Sequence, residues 1–303
     1  MTSTLAPRLD SAPSRPDAAV VPSTYVLTLS CLEQPGIVHA VTKFLADRLY
    51  DIVEHQQFDD SRRGVLYLRT VFAGTEGPAS AADLAAEFSL VARDYDMDFQ
   101  FHDERVPRIA VMVSKFGHCL NDLIYRWRSG TLGADIAMVI SNHEDLRQMA
   151  ESAGLPFIHV PVTAESKPAA EARLLELIAE YQIDLVVLAR YMQVLSDALC
   201  TRLAGRAINI HHSFLPGFKG ARPYHQAYDR GVKQVGATAH YVTGDLDEGP
   251  IIEQEVIRVD HRYGPAELTT AGQDAESQAL ARAVRWHAQH RVMITGNSTI
   301  VFK

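Results

Sequence analysis

Asn209 and His211 stand two apart in the apolar run Ala207-Ile208-Asn209-Ile210-His211, and an acidic turn, Asp245-Leu246-Asp247-Glu248-Gly249-Pro250, follows later in the chain. In a strand, residues two apart face the same way, so one amide donor and one imidazole meet at one spot, with His212 expected on the opposite face. The segment Ser213-Phe214-Leu215-Pro216-Gly217 ends the strand and forces a loop, which leaves that spot open to a ligand. A donor beside a proton carrier can serve acid–base chemistry. Taken singly, the Asn-x-His pair reads better as a hydrogen-bonded strand end, and the acidic turn as a solvated hairpin tip, than as a catalytic site. His225, His240 and His261 fall at no recognised zinc spacing, so no metal is expected.

The elements around these residues must bring them to one place. Apolar runs at 109–114, 136–141, 157–162, 185–189 and 207–211 alternate with helical patterns, which implies an α/β Rossmann-like domain with a mostly parallel sheet. Ligands bind such sheets beyond the carboxyl ends of the strands, where Asn209 and His211 would lie. Runs at 236–243 and 251–259 can pair as antiparallel strands around the acidic turn. Residues 266–290 read as a helix whose start Gly272 is expected to break, and 292–294 with 299–302 flank Gly296-Asn297 as a terminal hairpin.

The first part of the chain has another rhythm. Strand patterns at 25–29, 52–58, 65–72 and 97–101, with helical ones after Pro35-Gly36 and after Ser80, give the order βαββαβ. That order predicts an α+β ferredoxin-like domain over residues 23–102. Residues 1–22, rich in Pro, Ser and Ala, read as a flexible tail, 103–108 as a linker, and 109–303 as the second domain.

Composition bounds the function. The 303 residues are 47% hydrophobic and 22% charged, which is neither disordered nor membrane-like. A formal charge of −8 gives no net pull toward nucleic acid, so a small molecule is the expected partner. No membrane segment is expected. Cys31, Cys119 and Cys200 are widely spaced and read as reduced thiols; with no secretory signal pattern, the cytoplasm is the expected compartment.

Read together, two segments gain specificity. Ile208-Asn209-Ile210-His211-His212-Ser213-Phe214-Leu215-Pro216, and His240-Tyr241-Val242 with the acidic turn, resemble the paired signatures of the folate-dependent formyltransferase fold. Leu188-Ala189-Arg190-Tyr191-Met192-Gln193-Val194-Leu195-Ser196 resembles the family's pterin-pocket segment, and the likeness runs from 107 to 303. It implies Asn209, His211 and Asp247 as the catalytic set. Asn209 and a protonated His211 would stabilise the oxyanion formed by attack on a formyl carbon, and Asp247 would favour the imidazolium and hold or deprotonate the nucleophile. Arg190, Met192, Gln193, Leu195, Gly220, His240 and Asp245 are the implied substrate contacts; Lys219 and Arg222 flank Gly220 in a loop beside the site. Reduced folate is the implied substrate, with no cofactor.

The acceptor needs a separate argument, since one fold serves several transfers. Glycinamide ribonucleotide transformylases hold a phosphate in a Gly-rich loop at a helix start. Here the stretch is Ser114-Lys115-Phe116-Gly117-His118-Cys119-Leu120-Asn121-Asp122-Leu123, with one glycine and two bulky rings, which leaves water as the acceptor. This stretch also resembles the formyltetrahydrofolate deformylases, in which a small amino-acid-binding ACT domain precedes the formyltransferase-like one. Cys31-Leu32-Glu33-Gln34-Pro35-Gly36-Ile37-Val38 and Gln56-Gln57-Phe58-Asp59 match that module, so Pro35, Gly36 and Ile37 are implied contacts for an amino-acid effector. The other use of such a domain is oligomer contact, and a dimer or tetramer is expected. Hydrolysis would supply formate for purine synthesis and balance the one-carbon pool. The rivals are glycinamide ribonucleotide formylation, methionyl-tRNA formylation, which the net acidity and lack of a basic appendage disfavour, and a non-catalytic folate or amino-acid sensor. Residues 266–272 depart from the family in being less basic.

Overall fold

A computed structural model describes residues 23–74, 80–215 and 223–303. Residues 1–22 and the expected loop contacts Lys219, Gly220 and Arg222 lie outside the described residues.

The chain opens with β1 (Ser23–Leu32), α1 (Ile37–Ala46), β2 (Asp51–Asp60), β3 (Val65–Gly74), α2 (Ala81–Asp94) and β4 (Asp98–His102). The four strands pair antiparallel in the order β2-β3-β1-β4, the ferredoxin-like arrangement. Alternate residues Tyr25, Leu27, Leu29 and Cys31 of β1 are buried against the helices. The Ser80 side chain accepts from the Asp83 N–H while Asp83 takes the Ser80 N–H, so α2 begins with both donors satisfied.

The second sheet has seven strands in the order β11-β10-β9-β8-β5-β6-β7. It is built from β5 (Arg108–Val113), α3 (His118–Arg128), β6 (Asp135–Ser141), α4 (Arg147–Ser152), β7 (Phe157–His159), α5 (Lys167–Glu180), β8 (Leu185–Leu188), α6 (Asp197–Arg202) and β9 (Ala207–His211), then α7 (Pro223–Asp229), β10 (Gln234–Tyr241), β11 (Ile251–Arg258) and α8 (Pro265–Ala288). Strands β7 through β9 pair parallel through β5, and β10 and β11 join antiparallel at the edge. Residues 109–113 of β5 are all buried, because helices cover both faces of a central parallel strand. Ile109, Val111 and Val113 face α3 and α8, while Ala110 and Met112 face α5 and α6. A hairpin of β12 (Val292–Thr295) and β13 (Ser298–Val301) closes the chain. Among the described residues no helix is long and apolar enough to cross a membrane.

Two expectations are corrected. The strand at 157–162 stops at His159. Gly272 does not break α8, which runs unbroken for 24 residues. There a Cβ would lie 1.9 Å from the Tyr224 hydroxyl, so the glycine admits a tyrosine against the helix rather than ending it.

The first sheet is joined to the end of α8. Arg69 of β3, only 3% exposed, donates to the carbonyls of His290 and Gln289 at 3.1 and 3.0 Å, covering the acceptors a helix terminus leaves open. Glu54 of β2 pairs with Arg291 at 2.9 and 3.0 Å. Beside them the His102 and His290 rings stack at 3.6 Å between centroids and 11° between planes. Burial, and for His102 the neighbouring His290, push these imidazoles down, His102 to about 3 and His290 to about 4. Unfolded histidines titrate near 6.5, so acid loads protons onto the unfolded chain first. The stability from this stack is therefore complete above about pH 6.5 and is lost progressively toward pH 4. Urea midpoints should fall over that window, and His102→Phe should flatten the slope.

Candidate active site

A cavity of 270 Å³ lies beyond the carboxyl ends of β8 and β9. Asn209, His211 and Asp247 all line it, together with Arg190, Met192, Gln193, Leu195, His240 and Asp245, so the expected catalytic and folate-contact residues that are described meet at one place. Pro35, Gly36 and Ile37 form the start of α1 in the first sheet's layer and do not line it.

The geometry follows from strand pairing. Asn209 of β9 sits directly opposite His240 of β10 in the antiparallel register, and their side chains approach, Asn209 Nδ2 to His240 Nε2 at 3.2 Å. His240 Nδ1 donates to the Tyr241 carbonyl at 2.9 Å, because a carbonyl can only accept. A neutral His240 then accepts from the Asn209 amide, leaving the other amide hydrogen of Asn209 without a partner among the described residues.

The turn after β10 carries Asp247 back over the strand ends. Its Oδ2 lies 3.2 Å from His211 Nδ1 and its Oδ1 3.7 Å from His240 Nε2. Burial alone would raise the Asp247 carboxyl; the hydrogen bond and charge of His211 override it and hold the group well below the usual carboxylate range. Asp247 has φ 57, a left-handed conformation that aspartate tolerates better than most residues. Two positions on, a Cβ on Gly249 would lie 1.7 Å from the Tyr241 carbonyl oxygen, so only glycine lets the turn lie this close to β10.

His211 is buried, and while its Nδ1 faces Asp247, its Nε2 has no hydrogen-bond partner among the described residues. An orphaned imidazole nitrogen beside a cavity is costly unless a ligand completes it. His212 corrects the expected strand alternation. Strand β9 ends at His211, so His212 escapes the alternation, and its ring lies nearly parallel to that of His211, 4.9 Å away at 21°.

Several residues that hold the site were not singled out from the sequence. Ser114 Oγ donates to Asn142 Oδ1 at 2.6 Å and accepts the Met192 N–H at 3.0 Å, pinning the cavity-lining segment after β8. Glu171 accepts the Ser196 N–H at 2.8 Å and the Ser196 hydroxyl, fixing that segment's other end. Glu276 of α8, 1% exposed, takes hydrogen bonds from His118 Nε2 at 2.8 Å and the Tyr224 hydroxyl at 2.9 Å and forms an ion pair with Arg190, whose Nε lies 3.3 Å away without hydrogen-bond geometry. Its signal in the sequence was a carboxylate on the apolar stripe of a helix, one turn from Gly272 and Leu280. His118, Cys119 and Glu276 place ligand atoms within 4.8 Å of one another. Yet the Arg190 guanidinium already supplies a cation to Glu276, and burial pushes the Cys119 thiol far up, which makes the cluster a poor metal site.

Known proteins share this architecture. The formyl transferase family model matches residues 107–284. A protein named formyltetrahydrofolate deformylase from Corynebacterium sp. (strain P-1) is 55% identical over 280 residues, covering 92% of this chain and 98% of the relative. A namesake from Bacillus subtilis (strain 168) is 46% identical over 278 residues, covering 91% and 93%. The crystal structure of formyltetrahydrofolate deformylase from Burkholderia mallei ATCC 23344 superposes with a TM-score of 0.88 at 49% identity, over 93% of this chain and 100% of that one. Glycinamide ribonucleotide transformylase 1 from Symbiobacterium toebii gives 0.62 at 33% identity and covers 67% and 97%. The chain belongs to the formyl transferase family, and within it to the formyltetrahydrofolate deformylases.

Proposed function

We propose that the cavity binds 10-formyltetrahydrofolate and that the chain hydrolyses it to tetrahydrofolate and formate. The observation that carries the mechanism is the buried Nε2 of His211 beside Asn209, without a partner among the described residues, with Nδ1 held by Asp247. Water attacks the formyl carbon; the carbonyl oxygen becomes an oxyanion, which the other Asn209 amide hydrogen and a protonated His211 Nε2 stabilise. Asp247 keeps Nδ1 protonated, and its charge favours the imidazolium that the oxyanion requires. The same carboxylate holds the attacking water and takes its proton. Collapse of the tetrahedral carbon breaks the bond to the folate nitrogen, which leaves with the proton that Asp247 took from water, and the formic acid released gives up its remaining proton to solvent as formate. Apolar lining from Leu188, Leu195 and Val242, with exposed Met192 and Val194 on the rim, suits the flat ring system of the folate.

Water as the acceptor is supported at the β5 loop. Phe116 lies under the Arg190 guanidinium at 5.6 Å, and His118 is tied to Glu276, so that loop is occupied by the chain's own side chains. The deformylase likeness also spans 93% of the chain against 67% for the transformylase. Incubation with 10-formyltetrahydrofolate alone should release formate stoichiometrically with tetrahydrofolate. Formate appearing only after an amine acceptor is added would assign the chain to formyl transfer instead.

The reading extends to residues 23–102 as an ACT regulatory domain, 103–108 as a linker and 109–303 as the catalytic domain. The ferredoxin-like strand order supports it, and the start of α1 at Pro35, Gly36 and Ile37 is the proposed place for an amino-acid effector. Exposed Leu32, Val53 and Phe58 on the first sheet support a homo-oligomer. Three buried, unpaired cysteines support a reducing, cytoplasmic setting, where the formate would serve purine synthesis and the folate would return to the one-carbon pool.

A further inference from the structure

We propose that Glu276 is a positioning residue for the reaction: by anchoring Arg190 it fixes His212 as a neutral hydrogen-bond acceptor against His211, and so reserves the proton of the stacked pair for His211. The proposal rests on the role of His211 given above.

Arg190 Nη1 lies 2.7 Å from His212 Nδ1. A guanidinium only donates, so this nitrogen of His212 must be bare and its proton must sit on Nε2. Two parallel imidazoles 4.9 Å apart do not readily carry two charges, so the ring denied the second proton leaves it to its neighbour. What denies it is the placement of Arg190, and that placement needs Glu276. Arg190 sits at φ 66 in the segment leaving β8, and its buried guanidinium would be an uncompensated cation without the carboxylate 3.3 Å from its Nε. Glu276 is itself held from two further elements, by His118 at the start of α3 and Tyr224 of α7, with Gly272 making room for the tyrosine ring. Those partners and Arg190 keep the Glu276 carboxyl below its ordinary range although burial opposes it.

Among the described residues, the charged and titratable groups around His211 are Asp247 and Asp245 from the acidic turn, His240 from β10, His212 beside it, and Arg190, Glu276, His118 and Tyr224 behind His212. Both substitutions release His212. Arg190→Gln strips it of its donor, so His212 takes the proton of the pair: its midpoint should rise and the His211 midpoint should fall by about half a pH unit or more; Glu276→Gln leaves Arg190 uncompensated and unanchored, so the His211 midpoint should fall by a similar amount.

Histidine ring ¹⁵N NMR on the full-length protein reads these midpoints without any turnover. Alongside it, kcat of Glu276→Gln at neutral pH should fall about tenfold or more, with the alkaline limb of its pH profile moved down. A residue that merely supports the fold would lower activity without moving the proton off His211, and the bare loss of a cation in Arg190→Gln would raise the His211 midpoint instead. The proposal is overturned if the His211 midpoint in either folded variant stays at the wild-type value or moves the other way. Should Glu276→Gln not fold, Arg190→Gln alone decides by the same criterion. Absence of formate from the wild-type protein would instead strike the deformylase reading, and the NMR result would stand apart from it.

Discussion

Asp247→Asn is expected to lower kcat for formate release by about 10³ while KM stays within a few-fold. The asparagine fills the same space, so folding is retained, but three things are lost. The charge that favours the imidazolium disappears from Oδ2, 3.2 Å from His211 Nδ1. An amide can also donate to Nδ1, which keeps that nitrogen bare and holds His211 in its neutral form. The attacking water loses its base. His211→Ala should cost a similar factor, and the double variant should cost little more than either single one, because groups acting as one unit are not additive. Steady-state formate release at saturating folate measures all three. Asp247→Asn retaining more than a tenth of wild-type kcat would remove the residue from the mechanism. The same geometry fixes the pH reading: with Asp247 held below the ordinary carboxylate range, it stays charged throughout neutral pH, so any acid limb near pH 6 belongs to an imidazole.

Gly249→Ala is the second large effect and reaches the site without touching a reacting group. Its Cβ would fall 1.7 Å from the Tyr241 carbonyl oxygen and 3.3 Å from His240 Nδ1, so the acidic turn must lift from β10. Asp247, two residues earlier on that turn, then leaves both histidines. Displacing a catalytic group by about 1 Å commonly costs ~10² in rate, and forcing atoms into a packed site destabilises by about 1–3 kcal/mol. The expected outcome is a protein that still folds, with a lowered urea midpoint and kcat down by about 10² or more. Unchanged kcat in a folded variant would mean that the turn tolerates displacement and that Asp247 is not held by its backbone.

Local pattern carried much of this. Period-two and continuous apolar runs marked the strands, because sheets buried on one face or both write those patterns directly into sequence. The meeting of the three proposed catalytic residues was legible only as a combination: Asn209 and His211 share a strand face, but nothing local says that the turn holding Asp247 folds back on them. His212 was misassigned because strand alternation was extended one residue past the end of β9. The hub at Glu276 joins residues as far apart in sequence as His118 and Tyr224, and long-range pairing of that kind leaves no local periodicity. Its traces were a charge on a buried helical stripe and a glycine one turn away, which earlier read as a helix break.

The pairing of Asn209 with His240 has a consequence for how the protein becomes active. The proposed catalytic arrangement depends on one antiparallel alignment at the sheet's edge, where the odd–even alternation of side chains is unforgiving. A chain slipped by a single residue there would set Ala239 or Tyr241 against Asn209 and turn His240 to the other face. Such a chain could keep its parallel core and its secondary structure and still be inert, so the working fraction of a preparation counts correctly threaded molecules, which spectroscopy of the backbone would not distinguish.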